Sequence, residues 1–387
     1  MRRLIRSRLL ETSVARGAVA VIALVGATTA ALGQEAIKIG AVQGLSGPPA
    51  IVDFGESYLQ GNQLALKEYQ ASSPKNKIEF IVYNDEANPQ RAVSLVQRLI
   101  SNDKVSAVIG TVNSGNVAAF APMLQQAKIP LMAGPAIATD ITAKFIDQAP
   151  SYIFRCSMVE KYQIDAMLDW GAKNFKKIGL LHSTTGYGMF ASTEIQKGMK
   201  ERNIPLVAIE SGAPTATELT SQVLKLKNSG AELVLLFHDS LELLYRSMPK
   251  ADYKPVVAGN WGLSSLKILE IVGKEGLEGT VMGQALDLND PKAAAFDSKM
   301  QKEFGDKYRW PVVASLGYDG MKLLLKAVDS AGSDPTKIRD ALEGISDFSA
   351  VSGTPAKPFG PKDHECLDPD NVFLGVWRDG RVVRLKQ

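Results

Sequence analysis

Short apolar runs alternate along this chain with amphipathic stretches. Ile37 to Val42, Ile78 to Tyr83, Val105 to Ile109, Ile178 to Leu181, Leu233 to Phe237 and Pro255 to Ala258 are each nearly continuous in apolar residues. A strand covered by helices on both faces needs such a run, so each predicts a buried parallel strand. Between them the pattern changes to a helical period. Asn88 to Ser101 is the clearest case: Asn88 stands at the cap, Pro89 follows where its missing N–H costs nothing, and Ala92, Val93, Val96, Leu99 and Ile100 form one stripe. Strand, helix, strand at spacings of roughly 25 to 30 residues predicts βαβ units with right-handed crossovers, hence an α/β fold of doubly wound sheets.

The series runs twice, once over residues 36–150 and again over 151–282. The extended Tyr152-Ile153-Phe154-Arg155 between them predicts a strand passing from one lobe to the other. A long helix, Ala314 to Ser330, and a β-rich end, Asn371 to Leu385, follow. A chain of 387 residues exceeds what one core fills, and ~100 to 200 residues per domain predicts two lobes.

The first residues change the picture. Arg2, Arg3, Arg6, Arg8 and Arg16 precede an apolar stretch from Ala18 to Leu32, with small Ala31 and Gly33 before a cut near Gln34. That order predicts a cleavable export signal over residues 1–33 and a periplasmic location. The competing reading is a membrane anchor, but this stretch is shorter and richer in Ala, Gly and Thr than the ~20 apolar residues a span needs. No Cys stands at the junction to carry a lipid.

Removing residues 1–33 takes away five of 44 basic and one of 41 acidic residues, leaving 39 against 40 and a net charge of −1. The remaining chain has no basic run interleaved with aromatics, so nucleic acid is not an expected partner. Cys156 and Cys366 lie in no metal-binding spacing, and no cofactor or metal is expected. Export permits a disulfide between them, and two buried thiols are the equal alternative. There is no phosphate-binding glycine pattern, no His-Glu metal spacing and no nucleophile elbow, so the chain is not expected to be an enzyme.

A set of motifs in order resembles the leucine/isoleucine/valine-binding proteins, the type I periplasmic binding proteins of branched-chain amino-acid ABC importers. The carriers are Ile37-Lys38-Ile39-Gly40, Gly44-Leu45-Ser46-Gly47-Pro48, Tyr83 to Pro89, Ile109-Gly110 with Ser114, Ile129-Pro130-Leu131 with Pro135-Ala136, Phe154-Arg155, Gly186-Tyr187-Gly188 and Gly317-Tyr318-Asp319. The resemblance implies two lobes joined by three crossings, lobe one from residues 34–153 plus 284–355 and lobe two from 154–283 plus 356–387. It also implies a monomer that closes on a small ligand by hinge motion and delivers it to an inner-membrane permease and ATPase. A ligand sensor with the same lobes is the alternative role.

In open α/β sheets a ligand sits beyond the carboxyl ends of the strands. After the strand ending Ile109-Gly110, Asn113 and Ser114 open a helix, and Ser114 is expected to cap it and to bind a carboxylate among its free N–H groups. The bland alternative is a cap alone. The next strand end offers Ala136 and Ala138, where the family implies backbone groups and a hydroxyl; Ala138 lacks the hydroxyl, and Thr139 supplies it only if the loop shifts by one residue. In the second lobe His182, Tyr187, His238 and Trp261 follow strand ends, and Tyr162 stands near the first crossing. Phe54, read as part of the loop after Pro48, is expected to wall the pocket. Trp261 occupies the place where the family implies an acidic partner for an amino acid's ammonium. The expected ligand is therefore a carboxylic acid without an α-ammonium, aromatic by preference, unless Asp239 or Glu160 supplies the missing charge.

Overall fold

The computed structural model describes residues 35–386. The apolar runs become parallel strands: β1 (Ile37–Gln43), β2 (Ile78–Asn84), β3 (Ala107–Gly110), β4 (Leu131–Ala133) and β5 (Ile153–Arg155) form a five-stranded sheet in the order β2-β1-β3-β4-β5. A second sheet holds β6 (Ile178–Ser183), β7 (Leu206–Gly212), β8 (Leu233–Phe237), β9 (Val256–Gly259), β10 (Val281–Gln284), β11 (Phe373–Arg378) and β12 (Arg381–Arg384), in the order β12-β11-β10-β9-β8-β6-β7. β6 to β10 are mutually parallel, and β11 and β12 close the sheet antiparallel. The expected α/β class with two parallel-dominated lobes is what the chain forms.

Each sheet reverses its winding once. In the first, β1 lies between β2 and β3; in the second, β6 lies between β7 and β8. At such a switch point the loops leaving neighbouring strands run in opposite directions and leave a crevice. Two crevices facing each other define where a ligand can sit.

The helices that frame the crevices begin right after the strands: α1 (Pro49–Ala71), α2 (Pro89–Arg98), α3 (Ser114–Ala127), α4 (Asp140–Ile146), α5 (Glu160–Asn174) and α6 (Gly186–Glu201). α2 starts as its sequence predicts, with the Asn88 side chain accepting the Arg91 N–H at 2.9 Å. It ends differently: Leu99–Asp103 widens into a π-turn that stops at Lys104 in the left-handed conformation. Phe54 is also placed differently, on α1 and not in the preceding loop.

The long helix Pro311–Ala331 returns to the first sheet and lies along α1, where Asn62 Nδ2 donates to Gly317 O at 2.7 Å. Contact is close because Gly61 and Gly317 face backbone: a Cβ on Gly61 would come within 2.1 Å of Ala314 O, and one on Gly317 within 2.2 Å of Tyr58 O. Residues 364–366 then run beside β5, with Arg155 N–H bonded to His364 O and Cys366 N–H to Arg155 O, before the chain enters β11. No helix among the described residues is long and apolar enough to cross a membrane. The expected export signal lies outside the described residues.

Candidate functional site

Between the two switch points lies a cavity of about 460 Å³, its mouth included. The first lobe contributes Ile51 and Phe54 from α1, Val112 and Asn113 from the loop after β3, Ser114 from the start of α3, and Pro135 and Ile137 after β4. Tyr187 from the first turn of α6, with Asp239, Leu241, Asn260 and Trp261 from the segments after β8 and β9, closes it from the other side.

Ser114 does not cap its helix. Asn113 has the extended backbone of the cap position, and Ser114 is the first helical residue. Its buried hydroxyl instead accepts the Ala138 N–H at 3.1 Å. Having accepted there, it keeps its own proton to donate, beside the N–H groups of the first turn that no helical carbonyl reaches. Ala136 and Ala138 line no part of the cavity; their N–H groups are spent on Thr111 O and Ser114 Oγ. Thr139 is not shifted into the missing hydroxyl's place, because its Oγ1 accepts the Lys161 N–H. Asn113 Oδ1, buried, has no hydrogen-bond partner.

The second lobe brings complementary chemistry. Asp239 Oδ2 accepts from Ser183 Oγ and Thr185 Oγ1, each at 2.6 Å, which orients the carboxylate and leaves Oδ1 for a guest. Tyr187 accepts from Asn260 Nδ2, whose Oδ1 is held by the Gly262 N–H, so the phenol proton remains available. Burial raises the Tyr187 phenol well above its ordinary range and keeps that proton in place. The apolar wall is aromatic. Phe54 lies 5.4 Å from Trp261 and 4.2 Å from Trp310, centroid to centroid, at tilts of 44° and 35°.

A family profile described as "Periplasmic binding protein" matches residues 36–380. The chain belongs to the periplasmic binding protein family. Its curated relatives include Leu/Ile/Val-binding protein homolog 7 of Brucella suis, 26% identical over 90% of each chain, and homolog 3 of Brucella melitensis, 24% identical over 95% of this chain and 98% of that one. Among solved structures, a type 1 periplasmic binding protein from Bordetella pertussis superposes with a TM-score of 0.81 at 24% identity, covering 91% of this chain and all of that one. The branched-chain amino-acid substrate-binding protein LivJ of Streptococcus pneumoniae, solved with isoleucine, gives 0.77 at 20% identity over 91% of this chain and 100% of its own. The resemblance seen in the motifs therefore holds for family and fold.

Other residues of this binding protein singled out from the sequence sit elsewhere. His238 is bound inside its lobe: Nδ1 accepts the Ser240 N–H at 3.0 Å, so Nε2 carries the proton and donates to Gly212 O at 3.1 Å. Burial lowers its pKa and keeps the ring neutral. His182 turns Nδ1 to Ser183 O, 2.9 Å away. Tyr162 lies in a separate depression with Thr142 and Glu365. Glu160 is fully buried and absent from the cavity lining; neither carboxyl oxygen has a partner, and burial pushes its pKa well above the carboxylate range. Ile51, Val112, Ile137 and Leu241 line the cavity without having been singled out. They follow strand ends, as the others do, but apolar residues there carry no distinguishing signal in a single sequence.

Proposed function

We propose that this protein is the exported, periplasmic solute-binding component of an ABC importer, and that it closes its lobes around a small carboxylate with an apolar, preferably aromatic, body. The lobe limits follow the resemblance, residues 34–153 plus 284–355 and 154–283 plus 356–387, with 364–366 lying along the first sheet. The carrying observation is a cavity whose two ends differ: the Ser114 hydroxyl and the free N–H groups of α3 on one side, the Phe54–Trp261 wall on the other. An oxyanion gains a charge-assisted hydrogen bond at the first. A ring gains ~0.5 to 1.5 kcal/mol beyond its buried area at the second.

Asp239 favours a second reading. With Oδ1 uncommitted it offers the negative charge that Trp261 does not, so an α-amino acid, such as those named for the curated relatives, would find a partner for its ammonium. A phenolic hydroxyl would donate to the same oxygen. Calorimetry on the purified chain with leucine, its keto acid and 4-hydroxybenzoate separates the readings. Binding of either acid without leucine supports the first, and micromolar binding of leucine alone overturns it.

A further inference from the structure

We infer that Cys156 and Cys366 form a disulfide that ties together two of the segments passing between the lobes. Cys156 follows β5, where the chain leaves the first sheet, and Cys366 ends the stretch that runs beside β5. Their sulfurs lie 2.6 Å apart as free thiols, and both side chains are fully buried.

The surroundings fix this approach independently of the sulfurs. Arg155 N–H bonds to His364 O and Cys366 N–H to Arg155 O, each at 2.9 Å, so the backbones are already paired on either side of the link. The Arg155 guanidinium grips Glu365, with Nε 2.6 Å from Oε2, and the ring of His364 stacks on Phe154 at 3.8 Å and 14°. Two cysteines held at neighbouring positions of paired backbones join without backbone movement.

The reaction is thiol–disulfide exchange. One thiol loses its proton and its thiolate attacks an external disulfide, releasing one external thiolate and leaving a mixed disulfide. The second cysteine's thiolate then displaces the remaining external sulfur. Two protein thiols are oxidised, one external disulfide is reduced to two thiols, and no other reactant is needed. Burial raises the Cys156 thiol well above its ordinary range, so the thiolate is scarce in the folded chain. Once formed, the bond is buried with both side chains and shielded from reductants.

In the cell the oxidant depends on the exported role proposed above; in vitro the pairing does not. The full chain without its first 33 residues is refolded with oxidised glutathione or with dithiothreitol, denatured and treated with iodoacetamide. The expected oxidised product takes up no label, weighs two hydrogens less than the reduced chain and yields one linked peptide pair. It melts about 3 to 7 °C above the reduced chain. The Cys156→Ser/Cys366→Ser double variant is expected to melt near the reduced chain whether or not dithiothreitol is present. Two labelled thiols, or a glutathione on each cysteine, after oxidative refolding overturn the inference. So does an equal melting point for the chain refolded with oxidised glutathione and the chain refolded with dithiothreitol. A linked product in vitro beside two free thiols in protein taken from its native cells overturns the exported role and leaves the pairing standing.

Discussion

Ser114 Oγ accepts from Ala138 N–H and keeps its own proton to donate at the cavity wall. Ser114→Ala is expected to cost a carboxylate ligand roughly 10- to 150-fold in affinity, the worth of one charge-assisted hydrogen bond. Calorimetry with the acid and its amide checks this, and equal affinity for the two would remove Ser114 from the carboxylate's partners. Asp319 makes a different residue-scale statement. Burial pushes its carboxyl up to about 6 while it accepts the N–H groups of Val351 and Ser352. A raised folded-state pKa means the folded chain holds the proton more tightly, so the contribution is full below the unfolded value of about 4 and lost as pH rises through 6. The difference in stability between wild type and Asp319→Asn should move by about 3 kcal/mol across this window, against the wild type as pH rises. Urea unfolding of both across that range reads it, and parallel curves would refute it. Phe54, Asn113, Ser114, Tyr187 and Trp261 line the cavity; Asn113, Ser114 and Tyr187 were legible from strand ends in resembling motifs, Phe54 from its place after Pro48, and Trp261 as a departure from the family at a strand end. Ala136, Ala138, Tyr162 and His238 follow strand ends too. Which way such a side chain faces depends on loop register and on local partners such as Gly212 O, and those are set in three dimensions.

At the scale of elements, the continuous apolar runs read correctly as strands, but β2, read as buried like the rest, is the edge of its sheet and partly exposed at every position. β7, an edge strand with only Gly212 buried, was not singled out although Leu206-Val207-Ala208-Ile209 is an apolar run. β4, with three residues, is too short to stand out. The pairing of α1 with Pro311–Ala331 was equally hidden, since neither helix names its partner. That pairing is testable through its glycines. Gly61→Ala would drive a methyl group into the carbonyl of Ala314, and backbone cannot rotate away, so a loss of about 1 to 3 kcal/mol is expected. Gly344→Ala, where the nearest atom lies 3.5 Å off, should stay within about 0.5 kcal/mol of wild type. Chemical denaturation of both variants decides it, and a neutral Gly61→Ala would mean the helices sit further apart.

At the scale of the whole, residues 35–386 form two lobes that meet across a cleft. Across the cleft Asp53 accepts from Ser265 at 3.0 Å, Trp310 donates to Ser264 at 2.8 Å, Arg309 pairs with Glu270, and Lys144 lies 5.7 Å from the ring of Phe190. Arg309 and Glu270 are more than a third exposed, and such a pair contributes ~0 to 1 kcal/mol. The Cα atom of Gly115 would meet a Cβ on Gly186 at 3.4 Å, so the first turns of α3 and α6 approach backbone to backbone where a ligand's charge would lie. A guest touching Ser114 on one side and Asp239 or Trp261 on the other supplies contacts that exist only when the lobes are together. A ligand shifts an equilibrium by the difference in its affinity for two states, and this one would have almost no site in an open state. Small-angle scattering should therefore record a smaller radius of gyration with whichever acid or amino acid binds by calorimetry, and a larger one without it. Asp53→Ala should favour the open form and weaken binding without touching the cavity lining, raising the dissociation rate more than it lowers the association rate. An unchanged radius of gyration at saturating ligand would mean the cavity is fixed and filled through its mouth, and closure would play no part in capture.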